Sequence, residues 1–180
     1  MRMGGQFFPK IKIPRILNEA DLFISVPKLK IHPLTGLSCA LKNQFGCIPF
    51  KRKIIFHKNI HEIIAFINKS ITPDLVLVDG IICKGRTPIR LNLLMASHDP
   101  VAIDFIAAKI AGLNPLKIEY IVKSEGLGVG STNVKCTGDE WKNFATIFTK
   151  KSFIYNLSLK LLISLYNLYL RLFTVEGKKL

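Results

Sequence analysis

No two of the four cysteines, Cys39, Cys47, Cys83 and Cys136, fall into a C-x-x-C pair. Zinc ribbons and iron-sulfur runs need such closely spaced thiolates, so neither motif can be read from the chain and no metal ligands are assigned. With no signal peptide at the N-terminus either, four dispersed thiols are expected to be reduced and cytoplasmic. Acids are the second shortage: 12 Asp and Glu against 26 Lys and Arg leave a formal charge of +14. The deficit is steepest in residues 1–58, where Glu19 and Asp21 stand alone against the basic side chains. That balance suits a phosphate-bearing or other acidic partner or an anionic membrane surface, and it suits a solvated basic face equally well. Aromatics do not interleave with the basic residues as stacking platforms would, which argues against nucleic acid.

What is present is apolar material, 49% of 180 residues, enough for one domain with a real core. The rest of the chain is organised around Asp21 to Pro49. Leu22 to Val26 has strand length and composition, and Pro27 and Pro33 bracket Lys28-Leu29-Lys30-Ile31-His32, which cannot be helical between them. In extended geometry Lys28, Lys30 and His32 share one face, Leu29 and Ile31 the other. Thr35 then reads as an N-cap, with Leu37, Leu41 and Phe45 at helical spacing and Gly46 at the C-terminus. Two lysines and a histidine ahead of free helix N–H groups form an arrangement suited to an anion.

Ser25-Val26-Pro27-Lys28-Leu29-Lys30, His32, Leu34-Thr35-Gly36, Ala40-Leu41-Lys42-Asn43 and Phe45-Gly46-Cys47 resemble the signature of the domain of unknown function 362 family. His57, Pro73-Asp74-Leu75, Val78-Asp79-Gly80, Ser97, Asp99-Pro100-Val101-Ala102, Asp104 and Ala111-Gly112-Leu113 follow in that family's order. The resemblance implies a setting of iron-sulfur redox metabolism, with any 4Fe-4S cluster on a ferredoxin-type partner or on a domain outside this chain. It also implies a long α/β segment ahead of the signature, so the chain is expected to be a C-terminal portion. The pattern departs from the family at Phe50, at Lys84 and at Thr87-Pro88, which predicts an altered loop after Gly80.

Residues 1–18 read as a basic arm, 19–150 as an α/β domain and 151–180 as an amphipathic helix with a tail. Ile60, Ile63, Ile64 and Ile67 predict a helix over 59–71 that Thr72-Pro73 stops. Leu75 to Val78 reads as a parallel strand buried on both faces and Leu91 to Ala96 as another. Asp99-Pro100 opens a helix running toward Gly112, Asn114-Pro115 opens one through Val122, Val134 to Thr137 suits a short strand, and Asp139 to Phe148 a helix. The fold class is therefore α/β, a mostly parallel sheet flanked by helices. The glycines of Gly126-Leu127-Gly128-Val129-Gly130 follow a helix instead of joining a strand to one, so they read as a turn and not as a dinucleotide fingerprint. From Phe153 to Phe173 the polar residues Asn156, Lys160, Ser164, Asn167 and Arg171 make one narrow stripe, as on a helix lying in a membrane interface or docked on a protein.

In a parallel sheet, loops after successive strands emerge at one edge, which brings Lys28, Lys30 and His32 toward Asp79 and Asp99. His32, Asp79 and Asp99 are the candidate proton-handling residues, and Lys28, Lys30, Thr35, Lys42 and Asn43 the candidate ligand-binding ones. An enzyme-like or anion-binding module is the first reading, with a small anionic molecule as ligand. The alternative is a non-catalytic subunit docking onto a protein or membrane surface.

Overall fold

The alternation predicted for Lys28-Leu29-Lys30-Ile31-His32 is that of a strand with one face against the core: Leu29 and Ile31 are buried and Lys28 is exposed. The computed structural model describes residues 2–3, 6–7, 12–49, 53–85, 87–148, 162–166 and 168. Along them run β1 (Arg2–Met3), β2 (Gln6–Phe7), α1 (Ile16–Glu19), β3 (Ile24–Ser25), β4 (Lys28–His32), β5 (Gly36–Ser38) and α2 (Ala40–Asn43). Two 3₁₀ turns, Gln44–Cys47 and Lys53–Asn59, lead into α3 (Ile60–Ser70). Then follow β6 (Leu75–Lys84), β7 (Pro88–Ser97), α4 (Pro100–Ile110), a 3₁₀ turn Pro115–Lys117, and α5 (Glu119–Gly126). Residues 141–148 and the described part of 162–168 are helical.

The central strand is β6. One edge carries β3 and then β4, both parallel to it, and the other edge carries β7, antiparallel. β5 folds back antiparallel on β4, and three of the five strands run the same way. Between Lys28↔Asp79 and Lys30↔Lys84 the register slips by three residues, so Gly80 to Cys83 bulge outward. β1 and β2 form a separate two-stranded pair.

α3 buries Ile60, Ile63, Ile64 and Ile67, the row that its sequence spacing predicts. Asp99 caps α4 by accepting from the N–H groups of Val101 and Ala102, with Pro100 at the first helical position. The core gathers these helices against Val76, Val78, Ile89, Leu91 and Leu93 of the sheet.

Four local expectations are corrected. β6 is not buried on both faces: Val76 and Val78 are fully buried, while Leu77 across the pleat is 39% exposed. β7 returns antiparallel, because a tight hairpin and not a helix joins it to β6. No helix starts at Thr35. Residues 33–35 are a turn, and Gly36, at φ 72°, opens β5 on β4. Residues 134–137 pair with no strand among the described residues. Most of the amphipathic segment 153–173 lies outside the described residues. Within 162–168, Ile163 packs on the core while Leu162, Leu165 and Leu168 face outward. No helix among the described residues is long and apolar enough to cross a membrane.

Candidate functional site

β4 ends in His32, and the turn after it folds onto the ring. The Leu34 N–H lies 3.3 Å from Nδ1, and the Thr35 hydroxyl 3.1 Å from the same atom while donating to the Leu37 carbonyl. A backbone N–H can only donate, so Nδ1 accepts and the neutral ring carries its proton on Nε2. Around His32 stand Lys30 on the same strand, Lys42 on α2, and His57 on the 3₁₀ turn that precedes α3. Burial first, then Lys42, Lys30 and His57 in that order, pull His32 down to about 4. Burial, then Lys30 and Lys53, bring the Lys42 ammonium down to about 8. Among the described residues, no carboxylate is among the charges acting on either group.

Lys53 is held in place by donating to the carbonyls of Phe45 and Gly46, at 3.2 and 2.7 Å, and its ammonium sits 5.7 Å from the Phe45 ring centre. Lys42 lies over the same ring at 5.8 Å. His57 Nδ1 is hydrogen-bonded to the Tyr166 hydroxyl at 3.0 Å, and burial, then Lys42, lower its pKa. The result is a half-buried electropositive crevice in which burial first, and basic neighbours after it, lower the proton affinity of His32, Lys42 and His57. Its chemistry is that of an anion receptor, since a bound anion supplies the charge that the protein leaves out.

Of the residues expected here, the structure brings Lys30, His32, Thr35 and Lys42 together. Lys28 is placed otherwise. Its ammonium lies 2.6 Å from Asp79 Oδ2 and 3.1 Å from the Ile82 carbonyl, closing the bulge of β6. The Lys28 ammonium holds the Asp79 carboxyl below its usual range. Asp79 sits inside β6 beside Lys28, four residues along β4 from His32, or about 13 Å at the rise of a strand. Asn43 points away from the crevice, donating from Nδ2 to the buried Ser25 hydroxyl at 3.0 Å. Asp99 lies at the far end of the sheet, because Ser97 pairs with Val76 at the start of β6. Convergence of His32, Asp79 and Asp99 assumed parallel strands, and the antiparallel return of β7 separates them. Asp99 is fully engaged there: besides capping α4 it accepts from the Ser131 N–H at 2.8 Å.

Residues 1–109 match the family described as Domain of unknown function (DUF362). The chain belongs to this family. It is also similar to the thylakoid-associated protein sll1697 of Synechocystis sp., at 32% identity over 74% of this chain and 48% of the relative. The chain thus spans about half the length of that curated relative. No solved structure matches it.

Sequence reasoning missed two features of the site as it folds here. The first is Asp104, fully buried on α4, whose carboxylate accepts from the N–H groups of Ala40 and Leu41 at 2.6 and 3.2 Å. The N–H groups at the start of α2 are therefore satisfied by an internal carboxyl group, and the helix N-terminus expected after Thr35 to face an external anion does not form. Burial pushes Asp104 up to about 7 against those backbone bonds, and burial also raises the neighbouring Cys39 thiol. One signal was available. Asp104 falls in the apolar row of Val101, Ala108 and Ala111, and a lone acid there marks a buried carboxylate. The second is the pair Lys53 and His57, brought to the crevice by a 3₁₀ turn that no periodicity announces.

Proposed function

We propose that this family-362 domain is an anion-binding module whose receptor is the crevice of Lys30, His32, Lys42, Lys53 and His57. The observation that carries the reading is that half-buried His32 and Lys42 have basic groups and no acid acting on them, so that burial first and those neighbours second lower both. Proteins normally interleave charges of opposite sign, and the uncompensated cluster stores repulsion that a dianion relieves. Inorganic phosphate is the probe. It should raise the melting temperature of the full chain by mass action, and Lys42→Met and Lys30→Met should each abolish the shift. An equal shift in both variants would place the anion elsewhere and sink the reading.

The ferredoxin-linked setting enters this proposal only through the family resemblance. The described residues hold no group of three His, Cys, Asp or Glu side chains fit for a metal. Cys39 and Cys83 are buried, Cys47 is half-buried and Cys136 is exposed. A 4Fe-4S partner would bring its own ligands.

Docking is a second reading, and one surface favours it. The outer face of the sheet leaves Ile24 42%, Leu77 39% and Leu94 73% exposed, which is costly for a face that stays in water. The relative's name attaches that protein to thylakoids. For this chain, peripheral attachment to an anionic membrane predicts flotation with vesicles containing phosphatidylglycerol. Loss of flotation in Leu94→Lys would support the face as the contact, and no flotation of the native chain would end the membrane version.

A further inference from the structure

β7 leaves one edge of the sheet open. Among the described residues it pairs with β6 alone, and no other backbone hydrogen bond reaches Asn92 to Ser97. Leu93 to Ser97 lie in unbroken antiparallel register with Gly80 to Val76, so on the far side of this run alternate N–H and C=O groups point away from the sheet. The run ends at a bulge. From Gly80↔Leu93 to Ile82↔Arg90, β7 takes one residue more than β6, and Asn92, at φ 52°, absorbs it. Native strand edges are normally guarded by charge or proline. Here Pro88 and Arg90 stand beyond the bulge, and Leu91 to Ser97 hold no charged residue.

A cavity of about 410 Å³ is lined by every residue from Asn92 to Ser97. Successive side chains of a strand point to opposite faces, so a space that touches all of them runs along the edge of β7 and not beneath one face. One wall is apolar, made by Ile103 and Ile106 of α4 with Trp141 and Phe144 from the helix at 141–148. Another is the irregular stretch 134–139, which pairs with no strand among the described residues.

We infer that this edge is a strand-addition site for an extended segment of another polypeptide, its backbone paired with Leu93 to Ser97 and alternate apolar side chains seated in the cavity. The site is independent of the basic crevice. A strand edge offers donors and acceptors at a two-residue repeat, and the complement of that repeat is another strand. The apolar wall then selects the side chains on one face of the incoming segment, and the uncharged run opposite gives a charged residue no partner. A compact small molecule would fill the cavity and leave the edge groups unpaired. A second copy of this chain would bring its own charge of +14 against the first, which opposes pairing of like edges.

Trp141 is the only tryptophan of the chain and lines the cavity, so its emission reports filling. The test titrates the full chain with the peptide acetyl-Thr-Val-Thr-Leu-Thr-Val-Thr-amide, which in a strand carries its apolar residues on one face. Trp141 emission should shift to the blue and saturate, and the amides of Leu93 to Ser97 should slow in hydrogen exchange. The same peptide methylated on every backbone nitrogen, and a version with serine at the three apolar positions, should each bind at least about tenfold more weakly. Equal binding of the methylated peptide would reduce the site to an apolar cavity and overturn strand addition. Equal binding of the serine peptide would take the cavity out of it, and no response to the parent peptide would overturn it outright. Sedimentation of the native chain tests the second copy: a dimer that excludes the peptide would give the edge to this chain itself and also overturn the inference.

Discussion

Asp104 reaches back 64 positions along the chain to accept from the backbone N–H of Ala40 at 2.6 Å, fixing the start of α2 and hence Lys42. Its second oxygen takes the Leu41 N–H, so an amide in its place turns an NH₂ group toward one of these donors. Asp104→Asn should cost about 1–3 kcal/mol in chemical denaturation at pH 5, the penalty of a buried polar group left unpaired. The cost should shrink at higher pH. An ordinary Asp ionises near 4 when unfolded and Asp104 near 7 when folded, so its contribution declines as pH rises between those values and is level above 7. A penalty that grows from pH 5 to pH 8 would contradict this.

Anion binding should follow the titration of Lys42. Its ammonium is brought down to about 8, and a bound dianion favours the charged form, so affinity falls as pH rises through that value. Sulfate is the suitable probe because its own charge is constant. Its association constant should fall between pH 7 and pH 9.5 with a slope of at most about tenfold per pH unit, and Lys42→Met should bind weakly with a flat profile.

The pairing of Lys28 with Asp79 predicts a contrast among the lysines. Lys28 spends its charge on Asp79 and the Ile82 carbonyl, so Lys28→Met should change phosphate affinity by less than about threefold, the scale of an exposed ion pair. Lys30→Met and Lys42→Met should each lower it by about tenfold or more. Equal losses for all three would mean that Lys28 leaves Asp79 to join the ligand.

Glycines of one turn should respond differently to alanine. A Cβ at Gly130 would run into the Asp99 carboxylate, whereas nothing lies within 4 Å of one at Gly126 in the last turn of α5. Gly130→Ala should destabilise the domain by about 1–3 kcal/mol, by displacing the cap of α4 and its bond to Ser131. Gly126→Ala should be neutral or stabilise by up to about 1 kcal/mol through helix propensity. Urea unfolding of the two variants decides, and similar values for both would remove the contact with Asp99 as the cause.

Local pattern was enough for the elements whose partners do not matter to their conformation. The isoleucine row of α3, the alternation of β4 and the Asp99-Pro100 start of α4 follow from helical period, pleat and cap chemistry, all settled within a few residues. The family signature was legible for the same reason, as a string of residues. Tertiary structure alone decided that β7 runs against β6, that Gly36 to Ser38 pairs with β4 instead of starting a helix, and that Asp104 occupies the α2 N-terminus. A two-residue period reads the same in a parallel and an antiparallel strand, and the choice rests on hydrogen bonds between residues distant in the chain. The crevice followed suit: Lys30 and His32 were visible as one face of a strand, but Lys42, Lys53 and His57 join them only because packing against Phe45 and α3 folds three segments onto it.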